Sequence, residues 1–152
     1  EKALEVRARH PGALVLAGDT VVVLEDRLLG KPRTREEALE MLMSLAGRTH
    51  TVVSGLALAF PDRSLGSGVC TAAVTFRCFG AEFARSYVDT GEPMDKAGAY
   101  GIQGYGSVLV REIRGDYHTV VGLPLPLFLD LLHAGGWTYE FGRPIRPAVP
   151  VR

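Results

Sequence analysis

The order of polar and apolar positions at the start of the chain predicts a helix followed by a strand. Residues 1–9 have the pattern of the end of a helix. The apolar run over 14–17 is interrupted by a Gly-Asp-Thr step and resumes over 21–24, which is typical of a strand buried on both faces of an α/β sheet. The carboxylate of Asp19 is then expected inside or beside a buried strand, where an unused charge is costly.

Three further segments have helical spacing. Thr34 and Glu37 form a capping box ahead of an apolar stripe, and Gly47 supplies the stop. A second helix is expected over 83–88, because apolar residues lie four apart there. Pro124 opens a last helix with its own apolar side. These helices are expected to pack against a sheet.

The β-branched and aromatic content of three segments predicts strands over 51–60, 69–79 and 108–113. The first two are close enough in sequence to form a long hairpin, so part of the sheet is expected to be antiparallel. Cys70 and Cys78 fall on one face of the second strand, about 26 Å apart and too distant for a disulfide. We predict that both are small, buried core residues in a reducing environment.

Length and a proline-rich end define the predicted domain organisation. A chain of 152 residues has room for one domain of ordinary size. Residues 143–150 carry proline at every third position and are expected to be extended. We therefore divide the chain into a domain over 1–135 and a C-terminal tail over 136–152. The tail is expected to be a loosely held terminus.

Charge and hydropathy narrow the classes of partner. The chain has 17 basic and 17 acidic residues, so its overall charge gives no support for binding nucleic acid or an anionic membrane. No segment has the length and hydropathy of a membrane span, and the N-terminal residues contain no signal-peptide core. We therefore expect a cytoplasmic protein without a nucleic-acid or membrane partner.

Polar and charged residues concentrate where the apolar pattern breaks, over 18–20, 30–32 and 92–104. Ligands of α/β sheets gather where strand ends meet loops. A carboxylate there can hold a divalent cation and activate water, while lysines neutralise phosphate oxygens. This inventory predicts cleavage of a phosphate ester or phosphoanhydride. Taken singly, Asp19 as a strand-end cap and Lys31 as a surface charge are equally good interpretations.

Several motifs, taken in order, are specific enough to indicate a family. They are Leu16-Ala17-Gly18-Asp19-Thr20-Val21-Val22, Leu29-Gly30-Lys31-Pro32, Met41-x-x-x-Leu45-x-Gly47-x-x-His50-x-Val52-x-Ser54-Gly55, Gly91-Glu92-Pro93-Met94-Asp95-Lys96-Ala97-Gly98-Ala99-Tyr100-Gly101-Ile102-Gln103-Gly104 and Gly115-Asp116-Tyr117-x-x-Val120-Val121-Gly122-Leu123-Pro124. With these motifs the chain resembles the Maf family of nucleoside triphosphate pyrophosphatases. The block over 91–104 is too long for a chance match.

The resemblance implies an α/β fold similar to that of inosine triphosphatase, in which a twisted mixed central sheet is flanked by helices and carries a nucleotide-binding cleft. It also implies a divalent cation, Mg²⁺ or Mn²⁺, a homodimer, and hydrolysis between the α- and β-phosphates. Asp19 matches the family's proton-accepting aspartate. Lys2, Lys31 and Lys96 match phosphate-facing lysines, and Asp95 is expected to join Asp19 as a metal ligand.

Two residues match the branch of the family that acts on dTTP and UTP, with modified pyrimidine triphosphates as further candidates. These are Thr20, directly after the aspartate, and Gln103, in the Tyr-Gly-Ile-Gln segment. A glutamine amide can donate to a pyrimidine carbonyl and accept from the ring N–H. The pairing edge of guanine would leave that amide badly paired, which is costly in a buried site. We therefore expect a pyrimidine triphosphate and not a methylated guanosine or other purine triphosphate.

The family pattern also contains an N-terminal strand with a serine and a Pro-Arg-Arg segment, to which nothing in residues 1–13 is similar. Without those arginines the charge of the transition state has fewer counterions, so we expect residues 1–152 alone to turn over triphosphates poorly. A second hypothesis stays open beside the enzyme: a non-catalytic, nucleotide- or partner-binding regulator of septum formation during cell division. Its function would persist when Asp19 is neutralised.

Overall fold

A five-stranded sheet carries the rest of the fold in the computed structural model, which describes residues 1–148. Its strands pair antiparallel throughout, in the order β2-β1-β3-β4-β5. Their bounds are β1 Val15–Leu24, β2 Arg27–Leu29, β3 Thr49–Ala59, β4 Leu65–Phe76 and β5 Val110–Arg114. The predicted hairpin is therefore β3 and β4.

Five helices of the described residues flank this sheet. They are α1 Lys2–Arg9, α2 Arg35–Leu45, α3 Ala81–Asp89, α4 Tyr117–Val121 and α5 Leu125–Ala134. The glycine-rich segment after α3 folds into three short 3-10 turns, Glu92–Asp95, Ala97–Ala99 and Gly104–Leu109. The predicted α/β fold, a central sheet with flanking helices, is confirmed, although every strand pair of this sheet is antiparallel where a mixed sheet was expected. The pattern along the chain did not predict α4, β2 or the 3-10 turns.

The two faces of the sheet are covered differently. Side chains of a strand point alternately to its two faces, and the even-numbered residues of β3 from His50 to Leu58 are all buried. The main apolar cluster combines that face with α2 and α3, and Leu42 and Phe76 are among its most buried members. Helix α1 covers part of the other face, where Ala3 packs in a cluster with Ala17 and Ala57.

At the start of α2, one of the two hydrogen bonds of the predicted capping box is present. The Thr34 side chain accepts a hydrogen bond from the backbone N–H of Glu37 at 3.2 Å, as expected for an N-cap. The Glu37 carboxylate, however, accepts from the backbone N–H of Arg33 at 2.7 Å instead of from Thr34. Gly47, with a φ of 70°, then follows the helix in a left-handed conformation that favours glycine.

The prediction that both cysteines are buried core residues is wrong. Strand β4 ends at Phe76, so Cys78 lies beyond it and is exposed, while Cys70 is half-buried. Both are free thiols. The alternation that places Ala72, Val74 and Phe76 in the core therefore does not extend to either end of the predicted strand.

The end of the described chain forms a small hairpin. Strands β6 (Trp137–Thr138) and β7 (Arg146–Pro147) pair antiparallel. The Trp137 ring lies 6.2 Å from the ring of Phe60 between centroids, and Ile145 packs on the same cluster. The tail over 136–152 stays a prediction as a separate unit, and residues 149–152 lie outside the described residues. Among the described residues, no helix has the length and hydropathy to cross a membrane.

Candidate active site

A cleft of about 630 Å³ opens where β1 and β3 meet the glycine-rich segment and the end of α4. Its apolar floor includes Val22, Val52 and Leu56. The polar and charged side chains that line it belong to Asp19, Thr20, Lys31, Asp95, Lys96, Tyr100 and Gln103. The structure thus brings together all of the site residues predicted from the sequence except Lys2.

Asp19 lies where β1 has an open edge. Strand β2 pairs with β1 only over Val22–Leu24, so the part of β1 around Asp19 pairs, within the described chain, with β3 alone. The Asp19 side chain is 77% exposed. The expectation of a costly buried charge at Asp19 is therefore wrong, because most of its carboxylate is exposed in the described structure.

The Asp19 carboxylate connects two cavities. One oxygen accepts from the backbone N–H of Thr20 at 3.2 Å, and the other lies 3.4 Å from the Lys2 ammonium nitrogen. Lys2 lines a second cavity of about 560 Å³ beside α1, and Gly18, Asp19 and Leu56 border both spaces. Lys2 is thus close to the carboxylate but on the far side of it from the main cleft.

Thr20 is held from below by a buried serine. Register places Thr20 opposite Ser54 of β3, and their hydroxyl oxygens are 2.7 Å apart. Ser54 is fully buried and donates in turn to the backbone carbonyl of Thr119 in α4, at 2.7 Å. A series of hydrogen bonds therefore links Thr20 of β1, by way of Ser54 of β3, to α4.

Asp116 holds the start of α4 in the position that the hydrogen bond between Ser54 and Thr119 requires. Its carboxylate accepts from the backbone N–H groups of His118 and Thr119, at 3.2 and 2.9 Å, and from the Thr119 hydroxyl at 3.1 Å. Burial alone would raise the pKa of Asp116, but these hydrogen bonds lower it below its ordinary value. Gly122 ends α4 with a φ of 105°, and a Cβ there would lie 3.1 Å from the Thr20 hydroxyl oxygen.

Glu92 organises the opposite wall. Its carboxylate accepts three hydrogen bonds of 2.9 Å, from the Tyr87 hydroxyl and from the backbone N–H groups of Tyr105 and Gly106. Burial alone would raise the pKa of Glu92, but the hydrogen bonds, with Lys96 nearby, lower it. One carboxylate therefore closes the whole segment from 92 to 106 into a loop.

Two positions in this loop require glycine because the backbone there lies close to Glu92 or to its partner Tyr87. At Gly104, a Cβ would lie 2.5 Å from a Glu92 oxygen, and the φ of 70° is one that other residues rarely adopt. At Gly106, a Cβ would collide with the carbonyl oxygen of Gly101 and the hydroxyl of Tyr87. Glycine at these two positions thus allows the close approach of the backbone to the Glu92 network.

Asp95 and Lys96 form the charged rim of this wall. The Lys96 ammonium nitrogen lies 2.7 Å from an Asp95 oxygen. That hydrogen bond and the charge of Lys96, with a smaller contribution from Lys31, lower the pKa of Asp95. A Cβ at Gly101 would lie 2.8 Å from the Lys96 Cε, so the glycine leaves room for the lysine stem.

Lys31 and Gln103 reach the cleft from two loops that lie next to each other. The backbone N–H of Gly98 donates to the carbonyl of Gly30 at 3.0 Å, which joins the Gly-Lys-Pro segment to the glycine-rich wall. Lys31 and Gln103 are both exposed. Each side chain is therefore available to a ligand.

The described residues contain no group of three His, Cys, Asp or Glu side chains placed to hold a metal ion. The cleft supplies two carboxylates, Asp19 and Asp95, each beside a lysine. Mg²⁺ is commonly held by one or two carboxylates together with substrate phosphates and water. The donor set therefore fits a cation that binds jointly with a phosphate ligand and does not fit a preformed all-protein metal cage.

A buried histidine supports the floor of the cleft. The His50 Nε2 lies 2.8 Å from the hydroxyl of the cleft residue Tyr100, and the ring packs edge-on against Phe76. Burial lowers the pKa of His50 from 6.5 to about 4. Burial also raises the pKa of Tyr100. Within the described residues the His50 Nδ1 has no hydrogen-bond partner, so protonating this ring would add an unpaired buried charge.

Replacement of Glu92 by Gln is expected to destabilise the protein and loosen the wall. The amide presents one donor where the carboxylate accepted, so at least one backbone N–H loses a charged partner, at a cost of about 1–3 kcal/mol. Urea denaturation measures this loss. Asp89→Asn is the matched control, because Asp89 is exposed and its side chain pairs, among the described residues, with the exposed Arg35. Equal midpoints for the two variants would contradict the role given to Glu92.

Stability is expected to fall in acid because of His50. Between pH 6.5 and about 4 the unfolded chain binds a proton at this ring that the folded chain does not. The contribution of His50 to the free energy of unfolding is therefore fully present above pH 6.5 and decreases below it. The loss amounts to about 3 kcal/mol once the pH is below the folded value. His50→Gln removes the titration while keeping a polar group toward Tyr100.

Chemical denaturation at several pH values measures how steeply the free energy of unfolding changes with pH. The variants compared are His50→Gln and the control His10→Gln, a change at an exposed histidine. The control is expected to follow the unsubstituted chain. A His50→Gln variant with the same acid dependence as the unsubstituted chain would show that another group is responsible.

Comparison with known proteins agrees with the motifs and the fold. The family model described as Maf-like protein matches residues 1–135. A dTTP/UTP pyrophosphatase of Pyrococcus horikoshii is 46% identical over 135 residues, which are 89% of this chain and 72% of that protein. Proteins of the same name from Symbiobacterium thermophilum and Myxococcus xanthus are 48% identical over 144 residues and 51% identical over 136. These matches cover 95% and 90% of this chain, and 71% and 68% of the relatives. The chain belongs to the Maf family.

Proposed function

We propose that this protein is a nucleoside triphosphate pyrophosphatase that hydrolyses dTTP and UTP to the monophosphate and pyrophosphate. The observation that carries the proposal is the convergence of an exposed carboxylate, two lysines and an amide on one cleft, from Asp19, Lys31, Lys96 and Gln103. The names of the relatives support the same activity and substrate.

Asp19 is proposed as the proton acceptor. An ionised carboxylate is an acceptor on both oxygens, and the open edge of β1 lets water approach Asp19 from the cleft. As water bonds to phosphorus, its proton passes to Asp19 and the P–O bond between the α- and β-phosphates breaks. Pyrophosphate leaves with the bonding electron pair. A carboxylate in this role contributes about 10²–10⁴-fold to the rate.

The lysines are proposed to bind the phosphate chain. Lys31 and Lys96 approach the cleft from two loops that the Gly98 to Gly30 hydrogen bond joins. Ammonium groups on both sides of a triphosphate offset the charge that develops on the leaving pyrophosphate. Lys2, 3.4 Å from Asp19 on its other side, is proposed to reach the phosphates or to hold the carboxylate in place.

A divalent cation, Mg²⁺ or Mn²⁺, is proposed to bind with the substrate. Asp19 and Asp95 would hold it, since they are the carboxylates of the cleft. When bound, the cation supplies Lewis-acid stabilisation of phosphate charge. The protein's own contribution is to keep both carboxylates exposed and beside lysines, so that either can turn from its ion pair to an incoming cation.

The base is proposed to be recognised by Gln103 and Thr20. Gln103 is exposed at the rim, where its amide can pair with both a carbonyl and the ring N–H of uracil or thymine. Thr20 lies on the floor and is held by Ser54. The homodimer, the cytoplasmic location and the absence of nucleic-acid or membrane partners remain predictions.

Asp19→Asn is expected to reduce pyrophosphate release at least about 10²-fold while leaving nucleotide binding largely intact, because the amide cannot take the proton. Release is measured under single-turnover conditions with excess protein, so that slow rates are accessible, with Mg²⁺ or Mn²⁺ and a panel of pyrimidine and purine triphosphates.

Asp26→Asn is the matched control, since Asp26 is exposed in the turn between β1 and β2. It is expected to retain the activity of the unsubstituted chain. Equal release from Asp19→Asn would reject the proposed proton acceptor. A purine triphosphate as the best substrate would reject the assignment of Thr20 and Gln103.

A further inference from the structure

The hydroxyl pair under the cleft has a fixed direction. The Ser54 hydroxyl oxygen lies 2.7 Å from two atoms, the Thr119 carbonyl oxygen and the Thr20 hydroxyl oxygen. A carbonyl oxygen can only accept, and a serine hydroxyl has one proton to donate. The Ser54 proton is therefore committed to Thr119, and Ser54 must accept from Thr20.

This direction determines what Thr20 offers to a ligand. Thr20 also has a single hydroxyl proton, which Ser54 takes. Among the described residues, Ser54 is the one hydrogen-bond partner of the Thr20 hydroxyl. What remains on that oxygen is an acceptor, on a residue that lines the cleft. A free threonine could rotate to donate or accept, but this one cannot donate without breaking the buried pair.

We infer that Ser54 is a positioning residue that fixes Thr20 as a hydrogen-bond acceptor, so that the cleft selects a nucleoside group with a hydrogen to donate. The inference rests on the proposed function, in which a pyrimidine nucleotide occupies this cleft. It adds a residue, Ser54, and a direction of selection. A ligand group that can only accept a hydrogen bond would leave the Thr20 hydroxyl oxygen unsatisfied, which weakens binding.

Two groups that dTTP and UTP share can supply that hydrogen: the sugar 3′-hydroxyl, and the ring N3–H where Thr20 accepts it in place of Gln103. Uracil carries a donor at N3, whereas cytosine carries an acceptor at the same position. A 2′,3′-dideoxynucleotide lacks the sugar donor and keeps the base. Comparing these ligands therefore separates the two sources.

The alternative role for Ser54 is structural, as an anchor for α4 through the Thr119 carbonyl. Loss of such an anchor lowers stability and weakens all ligands alike. It does not change the preference between ligands that differ only in their hydrogen-bonding groups. The ratio of affinities therefore distinguishes a positioning role from an anchoring role.

The experiment measures dissociation constants by calorimetry for deoxyuridine monophosphate, deoxycytidine monophosphate and 2′,3′-dideoxyuridine monophosphate. The unsubstituted chain is expected to bind the first roughly tenfold more tightly than the analogue that lacks the recognised donor. In Ser54→Ala the Thr20 hydroxyl is free to rotate, so this ratio is expected to fall. If the recognised donor is N3–H, the affinity for deoxycytidine monophosphate should improve relative to deoxyuridine monophosphate.

Thr49→Ala is the matched control. Thr49 lies on the same strand and forms a similar hydroxyl pair with Thr75, at 2.8 Å, but neither residue lines the cleft. Its ratios are expected to equal those of the unsubstituted chain. Thr20→Val keeps the bond from Ser54 to Thr119 and removes the acceptor, so it should lose the same preference, and Thr20→Ser should retain it.

Unchanged ratios in Ser54→Ala would overturn the inference, as would the absence of any preference in the unsubstituted chain. If Ser54→Ala does not fold, Thr20→Val decides, and a preference that survives there overturns the inference equally. Monophosphate binding does not require hydrolysis. A chain that shows the expected ratios but releases no pyrophosphate would therefore reject the proposed function and leave this inference standing.

Discussion

The pairing of β1 with its neighbours is the constraint on which the site depends. Because β2 ends its pairing at Val22, the segment of β1 that carries Asp19 has one open edge in the described structure. Alternation along β1 directs Thr20 towards Ser54 and Asp19 away from it, towards Lys2. Asp19 nevertheless lines both the main cleft and the cavity beside α1.

The two walls of the cleft are held to this strand by different means. On one side, neutral hydroxyls link Thr20 through Ser54 to α4, whose start Asp116 fixes. On the other side, the Glu92 carboxylate gathers backbone N–H groups and a tyrosine hydroxyl. Both are buried or half-buried polar networks with satisfied partners, which makes them rigid. The residues that line the cleft are positioned by groups that do not line it.

The sequence predicted the elements with strong periodicity and the family motifs, and it could not predict these supporting contacts. Helix α2 was predictable because its cap and apolar stripe are local in sequence. The Glu92 contacts span up to 14 residues, and Ser54 reaches Thr119 across 65 residues. No periodicity encodes such distances. Asp19 was placed in a buried strand because the apolar run around it cannot show where the neighbouring strand stops.

The charged pairs of the cleft contrast with its rigid frame. The pairs Asp19 with Lys2 and Asp95 with Lys96 have side chains that are largely exposed, apart from the half-buried Lys96. Exposed ion pairs contribute little to stability, so exchanging one for a phosphate or a cation costs little. Glu92, with three hydrogen bonds to the chain itself, is not exchangeable in this way. The cleft therefore keeps its reactive charges in weak pairs that a highly charged ligand can open, while the frame around them stays in place.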